Sequence, residues 1–253
     1  MEPTTQPPGE QTVPTPGMSL GARFAAVFAR PAQAWGGLET RGQWWFPLLL
    51  TVVVGAAGTA IVYQRAIVPT QIAQMERQVE AGQMPAEALP NAERMMSSPV
   101  MAVVPVLAVL VMVPLITLAT ALLVWLAVGF IMGHRFRYRD AFVVTSWAGL
   151  VTLPAAVITY VLAWVNQNMM NVHIGFGALL PQEDAPSRLV RGLGVFLDYG
   201  IGPFYLWYVA VMALGAAALS GAPRRSVMLA LGGLWLVVTL AFAGLSGLLT
   251  PGS

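Results

Sequence analysis

Between Val100 and Ile131 the chain runs for 32 residues without one ionisable side chain. As a helix rising about 1.5 Å per residue it would reach roughly 48 Å, well past a bilayer hydrocarbon core of about 30 Å. In lipid only a helix satisfies the backbone of such a run from within. The expected rod is a membrane helix that tilts, kinks or begins outside the core, with Pro105 and Pro114 as the kink points. Four more charge-free runs obey the same rule, and the spans are expected at about 45–63, 100–131, 141–165, 199–220 and 226–249. The fold class predicted is an all-α membrane protein. It has five transmembrane helices, an N-terminal amphipathic helix ahead of them and a short helical extracytoplasmic loop.

Composition agrees with lipid as the solvent. Charged residues make up 9% of the chain, against roughly a quarter in soluble domains. A formal net charge of +2, with no basic cluster interleaved with aromatics, argues against nucleic acid as a partner. The lack of cysteine removes disulfides, thiolate metal sites, a thiol nucleophile and a cysteine lipid anchor together.

Residues 1–18 are proline-rich with few apolar side chains, which predicts a disordered tail without the basic-then-apolar start of a cleaved signal. Residues 19–44 form an amphipathic segment. Ser19 caps a helix with Leu20, Phe24, Val27 and Phe28 at helical spacing, Arg23 and Arg30 stand at its edges, and Arg30-Pro31 breaks it. Two readings stay open: a helix lying in the headgroups with its arginines on anionic lipid, or a helix packed on the bundle. Residues 45–249 are the five-helix domain, entered through an aromatic belt at Trp44-Trp45. Val68-Pro69 is expected to stop the first span. A polar loop over 70–99 follows, with one helix capped by Thr70 and a short turn at 85–96.

Orientation is written in the short loops. The turn from Gly133 to Asp140 carries Arg135, Arg137 and Arg139, and the turn before the last span carries Arg224-Arg225, so both are expected on the cytoplasmic side. Five spans then put the amino terminus in the cytoplasm and the carboxyl terminus outside, in the cell's inner or plasma membrane.

No acidic or basic side chain falls within the five spans, and a mid-membrane charge costs at least about 2.5 kcal/mol. Proton-coupled transport and voltage sensing are therefore disfavoured. Thr145, Ser146, Thr152 and Thr159 are expected to bond back to carbonyls one turn earlier. His134 and His173 fall on opposite faces, too far apart for one metal site, and each reads as solvated or capping. No P-loop, GxGxxG or HExxH occurs, so no cofactor, metal or catalytic residue is assigned and the chain reads as non-enzymatic. The candidate interaction or structural residues are Asp198, expected to cap the fourth span, with Tyr199 in the headgroups and Pro203 beyond. To these are added Arg135, Arg137 and Arg139, and the GxxxG pair Gly129 and Gly133. Glycines at 55, 232, 233, 244 and 247 supply further small-residue faces.

Several stretches resemble the bacterial branch of the Yip1 domain family. They include Phe28-Ala29-Arg30-Pro31 with Trp35, the segment from Gly133 to Phe136, Phe142 and Pro154. Leu197-Asp198, Trp207, Gly215, Ser220-Gly221 with its basic turn, and Ala230 complete the likeness. The resemblance implies a five-helix integral membrane protein with a cytosolic amino terminus. Eukaryotic members are implicated in vesicle trafficking and interact with Rab-type GTPases and with one another. Their aspartate-tyrosine-glycine-proline signature precedes the first span, whereas the similar letters from Asp198 to Pro203 precede the fourth, so that role is not transferred.

The functional expectation is a membrane scaffold or organiser whose partners are the bilayer, itself as a homo-oligomer, or other membrane proteins. It would associate through small-residue faces and the amphipathic helix. The alternative is a permease for a neutral or lipid-like substrate, which would require a polar cavity lined by Thr117, Thr120, Ser146 and Thr152.

Overall fold

The computed structural model describes residues 18–38, 42–169, 172–181 and 187–248, without the side chains of 247 and 248. The expected tail at 1–18 lies outside these residues except for Met18, as do the acids Glu183-Asp184 and the chain beyond 248.

Ten α-helices occupy the described residues. They are α1 Leu20–Ala29, α2 Trp45–Val62, α3 Val68–Glu80, α4 Leu89–Met96, α5 Pro99–Trp125, α6 Tyr138–Gly149, α7 Leu153–Asn166, α8 Arg188–Val195, α9 Pro203–Ser220 and α10 Arg224–Leu248. Five continuous rods among them are long and apolar enough to cross a membrane: Trp45–Glu80, Pro99–Ile131, Tyr138–Asn166, Pro203–Ser220 and Arg224–Ser246. They run alternately between a near side, bearing the turns at 132–137 and 221–223, and a far side.

The first rod corrects the expected stop at Val68-Pro69. A π-turn over Tyr63–Ile67 passes α2 directly into α3, and Pro69 follows just past this widened turn without ending the rod. Thr70 therefore caps no helix. Its hydroxyl donates to Ala66 O (2.7 Å) and accepts from Met169 N (2.8 Å), tying this rod to the chain just past α7. The rod outlives its own hydrophobicity: past Val68 the sequence turns polar and the chain remains a helix to Glu80.

The third rod holds the centre. Val143, Val144, Trp147, Ala148, Leu150 and Val151 are buried in one cluster with Val211, Met212 and Ala216 of α9 and Val124 and Val128 of the second rod. A 3-10 turn over Leu150–Thr152 joins α6 to α7 and sets Pro154 in the first turn of α7. The four hydroxyls of this span bond back as expected, Ser146 to Phe142 O (2.7 Å), Thr152 to Gly149 O (2.8 Å), Thr159 to Ala155 O (2.9 Å) and Thr145 to Ala141 O. By contrast α5 is peripheral, presenting Val103, Leu107, Val111, Leu115 and Leu122 outward with both prolines inside the helix.

The fourth span starts later than expected. Residues 196–200 form a π-turn that ends α8, the chain breaks at Ile201-Gly202, and α9 begins at Pro203.

Candidate functional site

Two buried polar clusters stand out against this apolar frame, one on each side. On the near side Ser19 caps α1 by accepting from Ala22 N (3.3 Å), and the stripe expected from spacing faces inward. Val27, Ala34, Trp35 and Leu38 are buried in the main core, so the segment is packed on the bundle. Arg23, expected at an edge of the helix, is instead fully buried. Its guanidinium donates to Ala34 O and to Gly36 O (3.0 Å) and lies 5.7 Å from the Trp147 ring centroid. Those carbonyls lie just past the 3-10 turn at Pro31–Gln33. Desolvating the guanidinium costs several kcal/mol, which the charge-assisted bonds and the indole face offset. Arg23 thus pins residues 31–38 as a plug between α6 and α9.

On the far side Asp198 is buried and caps no span; Gly202 holds the N-cap position of α9. Nδ1–H of His173 donates to Asp198 Oδ2 (2.6 Å), the proton being assigned to Nδ1 because a carboxylate only accepts. Oδ1 accepts from Gly175 N (3.0 Å) and Gly177 N (3.1 Å) at the start of the 3-10 turn Phe176–Leu179. The carboxylate therefore does cap a helical turn, but one whose N–H groups lie 21 and 23 residues upstream in the chain, and His173 is paired rather than merely solvated. A Cβ at Gly177 would stand 2.6 Å from Asp198 Oδ2 and one at Gly202 2.0 Å from Asp198 O, so only glycine fits there. His173, Gly175 and Gly177 were not foreseen; the only available hint was the alternation His173-Ile174-Gly175-Phe176-Gly177.

Tyr199 is 45% exposed and opens a run of rings, 5.1 Å to Tyr205 and then 6.2 Å on to Trp235. Partial burial, and next the Asp198 carboxylate, raise its phenol pKa above the ordinary value and keep it neutral. Trp235 Nε1 donates to Gly200 O (3.0 Å), fastening the π-turn to α10. Pro203 stands in the first turn of α9, as its lack of an N–H allows.

The near-side arginines do separate jobs. Arg135 is exposed. Arg137 sits at the N-cap of α6, where its backbone N–H donates to Asp140 Oδ2 (3.3 Å). Arg139 covers Gly42, whose φ is +49° and whose Cβ would stand 2.5 Å from the guanidinium. Within the chain Gly129 and Gly133 form no helix–helix seam. A Cβ at Gly129 would meet Phe136 O at 2.8 Å within its own turn, and Gly133 ends the rod at φ +69° with open space around it. Gly232, Gly233 and Gly244 likewise have nothing within 4 Å. Gly55, in contrast, sits in close contact with Val109, 3.0 Å from its Cβ position.

Chemically these clusters hold segments in place. Among the described residues no group of three His, Asp or Glu is placed to bind a metal. Thr117 and Thr120 bond to Val113 O and Ile116 O (2.8 Å each), and with Ser146 and Thr152 they line none of three apolar grooves on the outer surface. A model of the Yip1 domain matches residues 25–245, which takes in the whole plug and all five rods but for the last residue of the fifth. The chain belongs to the Yip1 domain family. Comparison with curated proteins and with solved structures gave no match. Both polar clusters of this Yip1 domain, apart from Arg23 itself, fall within the matched residues.

Proposed function

We propose that this Yip1 domain protein is a non-catalytic membrane scaffold that self-associates in the cell's inner or plasma membrane, with its amino terminus cytoplasmic and its carboxyl terminus outside. The observation that carries this reading is where polarity and grooves lie. The four candidate channel hydroxyls are all spent on their own helices, while the grooves open outward and are lined by apolar residues. A permease needs the reverse arrangement, a polar path inside a sealed exterior. The amphipathic helix is no longer free to recruit partners through its apolar stripe, because that stripe is spent on the bundle. Association falls instead to the small-residue surface of α9 and α10, where Ala210, Ala213, Gly232 and Gly233 floor a groove of about 500 Å³.

The chain has no cysteine, so single introduced thiols report cleanly. Gly233→Cys has room for its side chain and should form a disulfide-linked dimer on oxidation in native membranes. Leu107→Cys, outward on peripheral α5, should not. Equal behaviour of the two variants, or solute flux through proteoliposomes, would overturn the scaffold reading.

A further inference from the structure

The groove between α2 and α7 is the one with an oriented charge at its mouth. Val54, Ala57, Gly58 and Ile61 line one wall and Val157, Tyr160, Val161 and Trp164 the other, enclosing about 490 Å³ of apolar space open to the outside. Trp164 closes its far end, and on that indole lies Arg65, its guanidinium carbon 4.6 Å from the ring centroid. Arg65 Nε donates to Trp164 O (3.1 Å), which fixes the plane of the guanidinium. Its two terminal nitrogens have no hydrogen-bond partner among the described residues, and no described carboxylate pairs with it. Arg65 is exposed, so that fork of donors faces outward.

Depth decides what such a fork meets. Trp45, half exposed, begins the same rod on the near side. Arg65 lies 20 residues further on, about 30 Å along the helix and hence one hydrocarbon thickness away. At that level the abundant anionic group is a lipid phosphate, and a guanidinium plane matches it with two parallel bonds. Immediately below the phosphate the acyl chains begin, and immediately below Arg65 the groove begins.

The geometry points to a binding site for one phospholipid, with its phosphate on Arg65 and an acyl chain in the groove over Ala57 and Gly58. The Arg65–Trp164 stack is preformed, so little side-chain ordering remains to be done on binding. This site is independent of self-association through α9 and α10 on another surface.

The test is native mass spectrometry of the delipidated full chain in detergent, titrated with dioleoylphosphatidylglycerol. Two further probes separate the parts of the ligand: dioleoylglycerol has the chains without the phosphate, and glycerol 1-phosphate has the phosphate without the chains. The wild type should hold one phosphatidylglycerol at least tenfold more tightly than either fragment. Arg65→Gln should lose at least tenfold, Arg65→Lys should recover part of that loss, and Ala57→Leu, which fills an exposed groove position, should weaken the whole lipid but not glycerol 1-phosphate. Arg188→Gln, beside a different groove, is the control and should bind as wild type; melting temperatures verify that each variant is folded. Undiminished binding by Arg65→Gln or Ala57→Leu overturns the proposal. So does equal binding of dioleoylglycerol, or of glycerol 1-phosphate alone, or a dimer mass that displaces the lipid.

Discussion

The tip of the Trp35 ring packs against Gly215, so close that a Cβ built there would stand 2.7 Å from the indole. Trp35 is 2% exposed and Gly215 sits on α9, so this contact seats the amino-terminal plug in the bundle. Gly215→Ala should push the indole outward at a cost of about 1–3 kcal/mol, and Trp35→Ala should cost about 3–5 kcal/mol by leaving a cavity. Melting temperatures of the purified variants measure both. The double variant should be no worse than Trp35→Ala alone, because without the ring the added methyl meets nothing; simple additivity would refute the contact.

Arg23 holds the same plug by its carbonyls. Arg23→Met keeps most of the volume but leaves Ala34 O and Gly36 O without these donors, at about 1–3 kcal/mol for each buried acceptor. Arg23→Lys should rescue little, since an ammonium cannot fork across two carbonyls and lie along the Trp147 face together. A cysteine at Ala34, fully buried in the parent, reads the outcome: it should resist maleimide in the parent and react in the Arg23→Met background. Equal protection in both would show that the plug is held by its apolar side chains alone.

The five rods were legible because lipid enforces one rule, about twenty apolar residues per crossing, and each run satisfies it without help from elsewhere in the chain. Their ends were not. The loss of hydropathy at Gln64-Arg65 marks where lipid stops, and a proline next to it looks like a helix stop too. Yet Pro69 follows directly on a π-turn, and the rod carries on through it. Asp198 fits the N-cap rule by letter, and only the helical register running from Arg188 through the π-turn shows that it belongs to the preceding element. Its pairing with His173 spans 25 residues of sequence, and no local periodicity reports such a contact. Arg23 carried its own hint, standing four residues before Val27 on the apolar stripe. An arginine there reads equally as a boundary until the carbonyls at 34 and 36 fold back over it.

Asp198→Ala should release the loop at 173–177. The two backbone N–H groups of Gly175 and Gly177 lose their acceptor at about 1–3 kcal/mol each, and His173 loses its orienting partner. Asp198→Asn, which keeps one carbonyl oxygen for those N–H groups, should be the milder change. Hydrogen–deuterium exchange at 175–177 gives the readout, with exchange fastest in Asp198→Ala and intermediate in Asp198→Asn. A loop as protected in Asp198→Ala as in the parent would show that the glycine packing suffices.

Thr70→Val retains shape and removes one hydroxyl that serves two elements. The loss concentrates on Met169 N, just past the far end of the third rod, which has this hydroxyl as its acceptor. A cost of about 1–2 kcal/mol is expected, with faster amide exchange at Met169 and unchanged exchange at Ser97, whose peptide carbonyl, Met96 O, accepts separately from Tyr63 O–H (2.9 Å). Uniform loosening of both sites would mean that α3 and α4 move as one body and that the Thr70 bond is not a local tie.

Gly58 and Tyr160 give the sharpest test of how the first and third rods meet. A Cβ at Gly58 would stand 2.2 Å from two ring carbons of Tyr160, whose hydroxyl donates to Gly55 O (3.2 Å) one turn away. The ring thus fills the space that glycine vacates, and its hydroxyl anchors it there. Gly58→Ala should cost about 1–3 kcal/mol by overpacking, and Tyr160→Phe about 1 kcal/mol for the lost bond. Tyr160→Leu removes the ring itself and opens a gap against α2, which Gly58→Ala then partly fills. The double variant Gly58→Ala with Tyr160→Leu should therefore be more stable than the sum of the two single changes predicts, by at least about 1 kcal/mol in the double-mutant cycle. A coupling near zero would place the ring away from Gly58 and dissolve the close approach of α2 and α7.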